Sequence, residues 1–353
     1  MAELMAILLF ISICAALMAG YPVAFTLGGV SLLFAGLGIV TGTFDGGYLS
    51  ALPNRLFGIM NNQTMLAVPL FVFMGVMLEK SRVAEDLLES MSRLFGTLRG
   101  GLAISVCVVG ALLAASTGIV GATVVTMGLL ALPTMLRRGY DPAISTGTLA
   151  ATGTLGQIIP PSIVLVLLGD VMSSAYQQAQ LKMGVFSPKT VSVGDLFVGA
   201  LLPGLLLVGM YILYIIGVAI LQPKKLPALP QEELGPIEWG KLINALVPPL
   251  LLISAVLGSI LAGYATPTEA AALGALGAMV LALYKGKLNF GQLREVAYGT
   301  TEISAMVFLI LIGASLFSLV FRGFGGEVLI EDVFAPLPGG VLGAFFLVMV
   351  VIF

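Results

Sequence analysis

Long apolar runs broken by short polar gaps set the pattern of this chain, and the runs predict helices. Leu4–Ala19 and Val23–Val40 are read as two spans, separated by Gly20-Tyr21-Pro22. Pro22 stands where a helix begins, because its missing amide is no loss in a first turn. Residues 49–60 carry apolar positions at helical spacing and predict a short helix along the membrane interface. Met65–Leu78 is a third span. Residues 79–99 alternate both charge signs with an apolar stripe at Val83, Leu87, Leu88 and Met91, which predicts a helix lying on the membrane or on a partner.

The next run has a length that fits neither one span nor two. Between Arg99 and Arg137 lie 37 uncharged residues. One spanning helix needs about 20 apolar residues. With a tip of about six residues removed, each arm has roughly 15, or about 23 Å. The hydrocarbon core is ~30 Å thick. Both flanks are basic (Arg93, Arg99, Arg137, Arg138), which marks the cytoplasmic side. Residues 100–136 are therefore read as a re-entrant helical hairpin entered from the cytoplasm and turning at Ser116–Gly121. A single helix with a small-residue packing face is the plainer alternative.

Ala143–Ile158 forms another arm, interrupted at Pro160-Pro161 and continued by Ser162–Leu168. Consecutive prolines remove two amide donors and free carbonyls at membrane depth, where unwound backbone is tolerated only against protein or a cavity. The alternative is a simple kink. Residues 173–192 are read as a polar loop, Leu196–Leu221 as a span, and 222–241 as a Pro-rich charged linker. Leu242–Gly263 and Thr268–Tyr284 are two spans broken at Ala265–Glu269. Glu302 opens a further span, Ile303–Phe321, followed by an amphipathic stretch at 322–338 and an apolar run from Val341 to Phe353. Glu269 and Glu302 are either helix-start caps or ion or proton ligands.

Composition strengthens this picture. The chain is 59% hydrophobic and 10% charged, with mean hydropathy +1.09, whereas a soluble domain carries about 25% charged residues. The fold class is an all-α polytopic membrane protein. There is no histidine and no basic tract, so histidine acid–base chemistry and a nucleic-acid partner lose support. Cys14 and Cys107 lie inside apolar runs and read as core residues. No enzyme signature is present, and no cofactor is expected.

Lysine and arginine placement puts the N-terminus outside, residues 80–99, 222–241 and 285–294 inside, and 176–193 outside. The two halves then match with opposite orientation, the signature of an inverted repeat in a secondary transporter. The expected organisation is 1–99 (scaffold spans and surface helices), 100–175 (hairpin and broken helix), 176–241 (loop, span, linker), 242–340 (second scaffold) and 341–353, where a second hairpin is expected to begin and the sequence stops.

Four stretches carry a resemblance: Pro69–Gly75, Ala131–Leu136, Gly156-Gln-Ile-Ile-Pro160-Pro161-Ser162 and Thr266-Pro267-Thr268-Glu269-Ala-Ala-Ala. Together they resemble the large membrane subunit of the tripartite ATP-independent periplasmic (TRAP) transporters, over essentially the whole chain. The resemblance implies an elevator-type fold and sodium-driven import of a small organic acid across the bacterial inner membrane. It also implies a small four-helix membrane subunit and a periplasmic substrate-binding protein as partners, with Na+ as coupling ion. Carried over, the sodium ligands are the hydroxyls of Ser116 and Thr117 and the carbonyls of Gly156, Ile159 and Pro161. Gly118, Thr123 and Ser162 lie in the vicinity. The chain departs from the common Ser-Gly-Ser-Ser-like tip, having Thr117-Gly118-Ile119-Val120, and Thr123 is the substitute hydroxyl. A sodium–anion symporter without a binding protein, a channel and a structural membrane subunit are the alternative functions.

Overall fold

The computed structural model describes residues 2–352 except 118–119, 229–237 and 335–339; the side chains of 84, 114–117, 122, 333, 351 and 352 also fall outside the description. Every regular element among the described residues is helical. In chain order these are α1 (Ala2–Met18), α2 (Val23–Thr41), α3 (Leu52–Met60), α4 (Ala67–Lys80), α5 (Val83–Phe95), α6 (Gly101–Thr117), α7 (Val120–Arg137), α8 (Pro142–Thr154), α9 (Ile163–Lys182), α10 (Val193–Leu221), α11 (Trp239–Leu261), α12 (Pro267–Tyr284), α13 (Phe290–Gly323), α14 (Gly326–Phe334) and α15 (Gly340–Ile352). Among the described residues, α2, α10, α11, α12 and α13 are long and apolar enough to cross a membrane. α4, with the short turn before it, joins the 46–60 segment at a bend of 56°. The protein is a multi-pass helical membrane protein.

The chain forms two compact units, Met1–Asn62 with Ala305–Phe353, and Gln63–Ser304. In the first, Ala6, Leu9 and Ile13 of α1 meet Ala35 of α2, Phe44, and Val320 and Phe324 at the end of α13. The rings of Phe44 and Phe324 sit 5.0 Å apart. Gly38 lets them in: a Cβ there would fall 2.6 Å from Phe44 Cβ and 2.8 Å from Phe324 Cζ.

In the second unit, α4 packs along α12. The α12 face is almost all small: Ala270, Ala271, Gly274, Ala275, Ala278 and Ala282 are buried. Small residues let helix backbones approach without lipid between them, and Met74 fills the space over Gly274. α12 starts with a capping box, in which the Thr266 hydroxyl accepts from the Glu269 amide and the Glu269 carboxylate accepts from the Thr266 amide at 2.8 Å. Of the two readings of Glu269, the cap is the one the geometry supports.

Three sequence expectations need correction. The polar stretch 173–192 is not a loop throughout, because α9 continues to Lys182. No helix breaker occurs before Gly184, which adopts φ +79°. Gln180, buried, then clasps the returning chain by bonds of 2.9 Å to and from the Lys189 backbone. Glu302 does not open a helix. α13 starts at Phe290, where Asn289 Oδ1 accepts the Gln292 amide at 2.7 Å. Glu302 is therefore an exposed mid-helix residue, not a cap. The apolar stripe of α5 is covered by the chain itself: Val83, Leu87, Leu88 and Met91 are buried, and α5 packs on α6 and α11. Its charged face lines a cleft of about 770 Å3 shared with the start of α11 and the end of α12. There Arg93 pairs with Glu89 and Glu238, Lys241 with Glu238, and Lys285 with Asp86. The hydrogen bond from Lys241, helped by Arg93, holds the Glu238 carboxyl below the usual carboxylate range.

Candidate functional site

The hairpin is present as two helices of 17 and 18 residues, α6 and α7. At 1.5 Å per residue they reach about 26 and 27 Å, longer than the sequence suggested. The long apolar run holds no proline before Pro133, so each arm runs a little further towards the tip.

α8 locks onto both arms through glycine. Gly110 of α6 receives Thr152 of α8: a Cβ at 110 would lie 1.9 Å from Thr152 Cγ2. Gly153 of α8 receives Val124 of α7, with a Cβ only 2.1 Å from Val124 Cγ2. Thr152 is held in one rotamer. Its hydroxyl donates to the Thr148 carbonyl at 2.6 Å and lies 3.5 Å from Cys107 Sγ. Burial raises the cost of changing any of these polar groups, since an unmade hydrogen bond there is not replaced by water.

This packing fixes the position of the segment after α8. The chain tightens into a 3-10 turn, Leu155–Gln157, against which both α6 and α7 pack. The amides of Ile158 and Ile159 both donate to the Leu155 carbonyl, at 3.0 and 2.9 Å. Pro160 and Pro161 come next, joined by a cis peptide. A helix running on would use the amides of residues 160 and 161 to satisfy the carbonyls of Gly156 and Gln157; the prolines supply neither. Ser162 answers one of them. Its hydroxyl donates to the Gln157 carbonyl at 2.8 Å and accepts the Leu165 amide at 3.4 Å, capping α9. The Gly156 carbonyl keeps no helical donor. Leu155 and Ile159 point into an apolar cluster with Ile253, Ala111, Leu207 and Tyr211, so Ile159 can offer an ion only its carbonyl.

The structure therefore brings Gly156, Ile159, Pro161 and Ser162 into one buried break against both hairpin arms. Thr123 is buried near the start of α7 and has an interaction partner. The side chains of Ser116 and Thr117, in the last turn of α6, and all of Gly118 lie outside the described residues. Ser162 has a structural task that its sequence position did not reveal. Sequence reasoning also missed two features. One is the pairing of Gly110 and Gly153 with Thr152 and Val124, where the signal was glycine beside a β-branched residue in facing segments. The other is Glu79 at the end of α4, whose Oε1 accepts from the Thr126 hydroxyl of α7 at 2.9 Å. A lone acid at the end of an apolar run was its only sequence signal. Among the described residues no cluster of His, Cys, Asp or Glu is arranged to hold a metal.

Comparison with known proteins agrees with this architecture. A solved structure of the Alcanivorax borkumensis YdaH transporter, described as having an unusual topology, superposes with a TM-score of 0.52 at 18% identity. It covers 83% of this chain and 64% of that one, and so shares the fold. The C4-dicarboxylate TRAP transporter large permease protein DctM of Pseudomonas aeruginosa is 34% identical over 269 residues, 75% of this chain and 58% of that protein. The ectoine TRAP transporter large permease protein TeaC of Halomonas elongata is 26% identical over 337 residues, covering 93% and 69%. The chain thus spans between about half and two thirds of the length of these relatives. The model of the tripartite ATP-independent periplasmic transporter DctM component matches residues 10–353, and the chain belongs to that family.

Proposed function

We propose that the chain is the large membrane subunit of a sodium-coupled importer of small organic acid anions in a bacterial inner membrane. One observation carries this reading: two consecutive apolar helices pack on each other and both rest on the single turn that precedes a double proline. Sodium is a hard cation and takes oxygen ligands. The carbonyls of Gly156, Ile159 and Pro161, with the Ser116 and Thr117 hydroxyls at the hairpin tip, supply oxygen without a buried carboxylate. An anionic substrate is favoured beside them, because the N-terminus of α9 carries partial positive charge within the membrane. The two halves act as an inverted repeat, with the α1–α2 and α11–α12 pairs as counterparts. In each pair the second helix begins at a proline, Pro22 or Pro267. The hairpin and broken helix move as an elevator against these pairs. A periplasmic binding protein delivers the substrate, a small four-helix membrane subunit completes the membrane part, and the N-terminus faces the periplasm.

The substrate is a small carboxylate. The family relatives are named for C4-dicarboxylate and for ectoine, both of which carry a carboxylate, and C4-dicarboxylates are the first compounds to try. The test is uptake of labelled succinate into proteoliposomes containing the chain with its partner subunits and the binding protein. Uptake is expected to require an inward sodium gradient and the binding protein. Equal uptake with potassium in place of sodium overturns the coupling, and equal uptake without the binding protein favours a simple symporter.

A further inference from the structure

Three apolar helices end at one place: α6 begins at Gly101, α7 ends at Arg137 and α10 ends at Leu221. The segment after α10 is sewn to the hairpin base. The Gly100 amide donates to the Leu226 carbonyl at 3.2 Å, and the Asp141 amide donates to the Lys225 carbonyl at 2.9 Å. Leu226 is fully buried, and the Tyr140 hydroxyl accepts the Leu102 amide at 3.2 Å. These bonds draw Arg99, Arg137, Arg138, Lys224 and Lys225 from three parts of the sequence to one membrane–water boundary.

Among the described residues none of these five cations makes an ion pair. Asp141, next in the chain, turns its Oδ1 to the Ala143 and Ile144 amides as the cap of α8 and makes no ion pair with the five. The α5 cleft shows the opposite arrangement, with Arg93, Lys241 and Lys285 each matched to a carboxylate. A second observation points to a ligand: Arg138 Nη1 is shielded from solvent and has no hydrogen-bond partner. A guanidinium nitrogen in that state needs an acceptor, and the guanidinium fork matches a phosphate oxygen pair. The need to keep basic residues on one side of a membrane explains the charges but not the convergence, and not the unsatisfied nitrogen.

We propose that the hairpin base binds the phosphodiester headgroup of an anionic phospholipid, with Arg138 as anchor and Lys224 and Lys225 completing the charge. The site does not depend on the transport reading and is tested without it. The full-length protein, with any membrane partner that co-purifies, is placed in nanodiscs of phosphatidylglycerol and phosphatidylcholine, and retained lipid is measured by native mass spectrometry. Wild type is expected to retain phosphatidylglycerol preferentially. Arg138→Gln with Lys224→Gln and Lys225→Gln lowers that preference by about fivefold per charge removed, whereas Lys241→Gln with Lys287→Gln leaves it in place. Absence of preference in the wild type overturns the proposal, and that measurement needs no variant to fold. Equal loss in the Lys241/Lys287 variant also overturns it, reducing the effect to general surface charge. Displacement of the lipid by millimolar inorganic phosphate assigns the site to a soluble anion instead, and likewise overturns it.

Discussion

Gly110→Ala tests whether the contact between α6 and α8 sets the break. The added Cβ would lie 1.9 Å from Thr152 Cγ2 and 3.2 Å from Thr152 Cβ, so the methyl must withdraw by nearly 2 Å. Two escapes exist. Rotating Thr152 moves the methyl aside but takes its hydroxyl off the Thr148 carbonyl, leaving a buried group unsatisfied at about 1–3 kcal/mol. Keeping the rotamer forces α6 and α8 apart, an overpacking cost of about 1–3 kcal/mol. Either way Gly110→Ala should destabilise by about 2 kcal/mol. Thr152→Ser removes the clashing methyl and keeps the hydroxyl. The double variant should therefore be more stable than the sum of the two single changes, by about 1 kcal/mol or more, as expected for side chains in contact. Thermal unfolding of the four proteins in one detergent closes the cycle. Gly110→Ala with wild-type stability, or a cycle with no coupling, refutes the packing argument. If the proposed sodium site is right, the single variant also weakens sodium activation of uptake, because the 3-10 turn Leu155–Gln157 rests on the same arm, and the Ser change partly restores it.

The remaining predictions concern other parts of the molecule. Ser162→Ala should cost about 0.5–2 kcal/mol through the lost α9 cap, with sodium half-saturation unchanged or lowered; a large rise in half-saturation would make Ser162 an ion ligand instead. Gly38→Ala should destabilise by about 1–3 kcal/mol, since its Cβ meets Phe44 and the Phe324 ring inside 3 Å, and Phe324→Leu should relieve part of that loss. Glu238 has its pKa lowered by Lys241 and Arg93. Its stabilising effect is therefore present above the ordinary carboxylate range and fades as pH falls through the lowered value. The stability difference between wild type and Glu238→Gln, followed by thermal unfolding from neutral to acid pH, should shrink on acidification; a difference that grows there contradicts the sign.

Much of the fold was legible because membrane helices announce themselves by length and hydropathy, which need no knowledge of neighbours. The ends of α1, α2, α10 and α12 fall within a few residues of the runs that predict them. Reading failed where polarity was mistaken for irregularity. α9 runs through Ser173, Ser174 and Gln177, and α13 through Thr300, Thr301 and Glu302, because nothing in those stretches breaks a helix. The break at 156–162 was legible from its prolines, whose effect on the backbone is local. The grip of α8 on the hairpin was not, because Gly110 and Gly153 acquire meaning only when Thr152 and Val124 arrive opposite them. For the same reason α5 read as a surface helix: its stripe specifies burial, and only the tertiary fold says that α6 and α11 provide it.

The break itself divides its labour unevenly, and that unevenness bears on the proposed site. Two prolines remove two donors, so the carbonyls of Gly156 and Gln157 lose their helical partners. The Ser162 hydroxyl takes Gln157, and the same oxygen starts α9, so one of the two is spent on holding the chain together across the gap. Gly156 is buried and sits in the turn on which both hairpin arms rest. A buried carbonyl without a donor is unfavourable unless something else satisfies it. In the proposed site that something is sodium, which makes Gly156 a carbonyl to expect on the ion, beside those of Ile159 and Pro161, and Gln157 the one to exclude. Ser162→Ala separates them further, because it frees the Gln157 carbonyl. If that carbonyl then joined the ion, sodium affinity would rise while stability fell, a combination that neither a simple kink nor a plain packing role for the prolines produces.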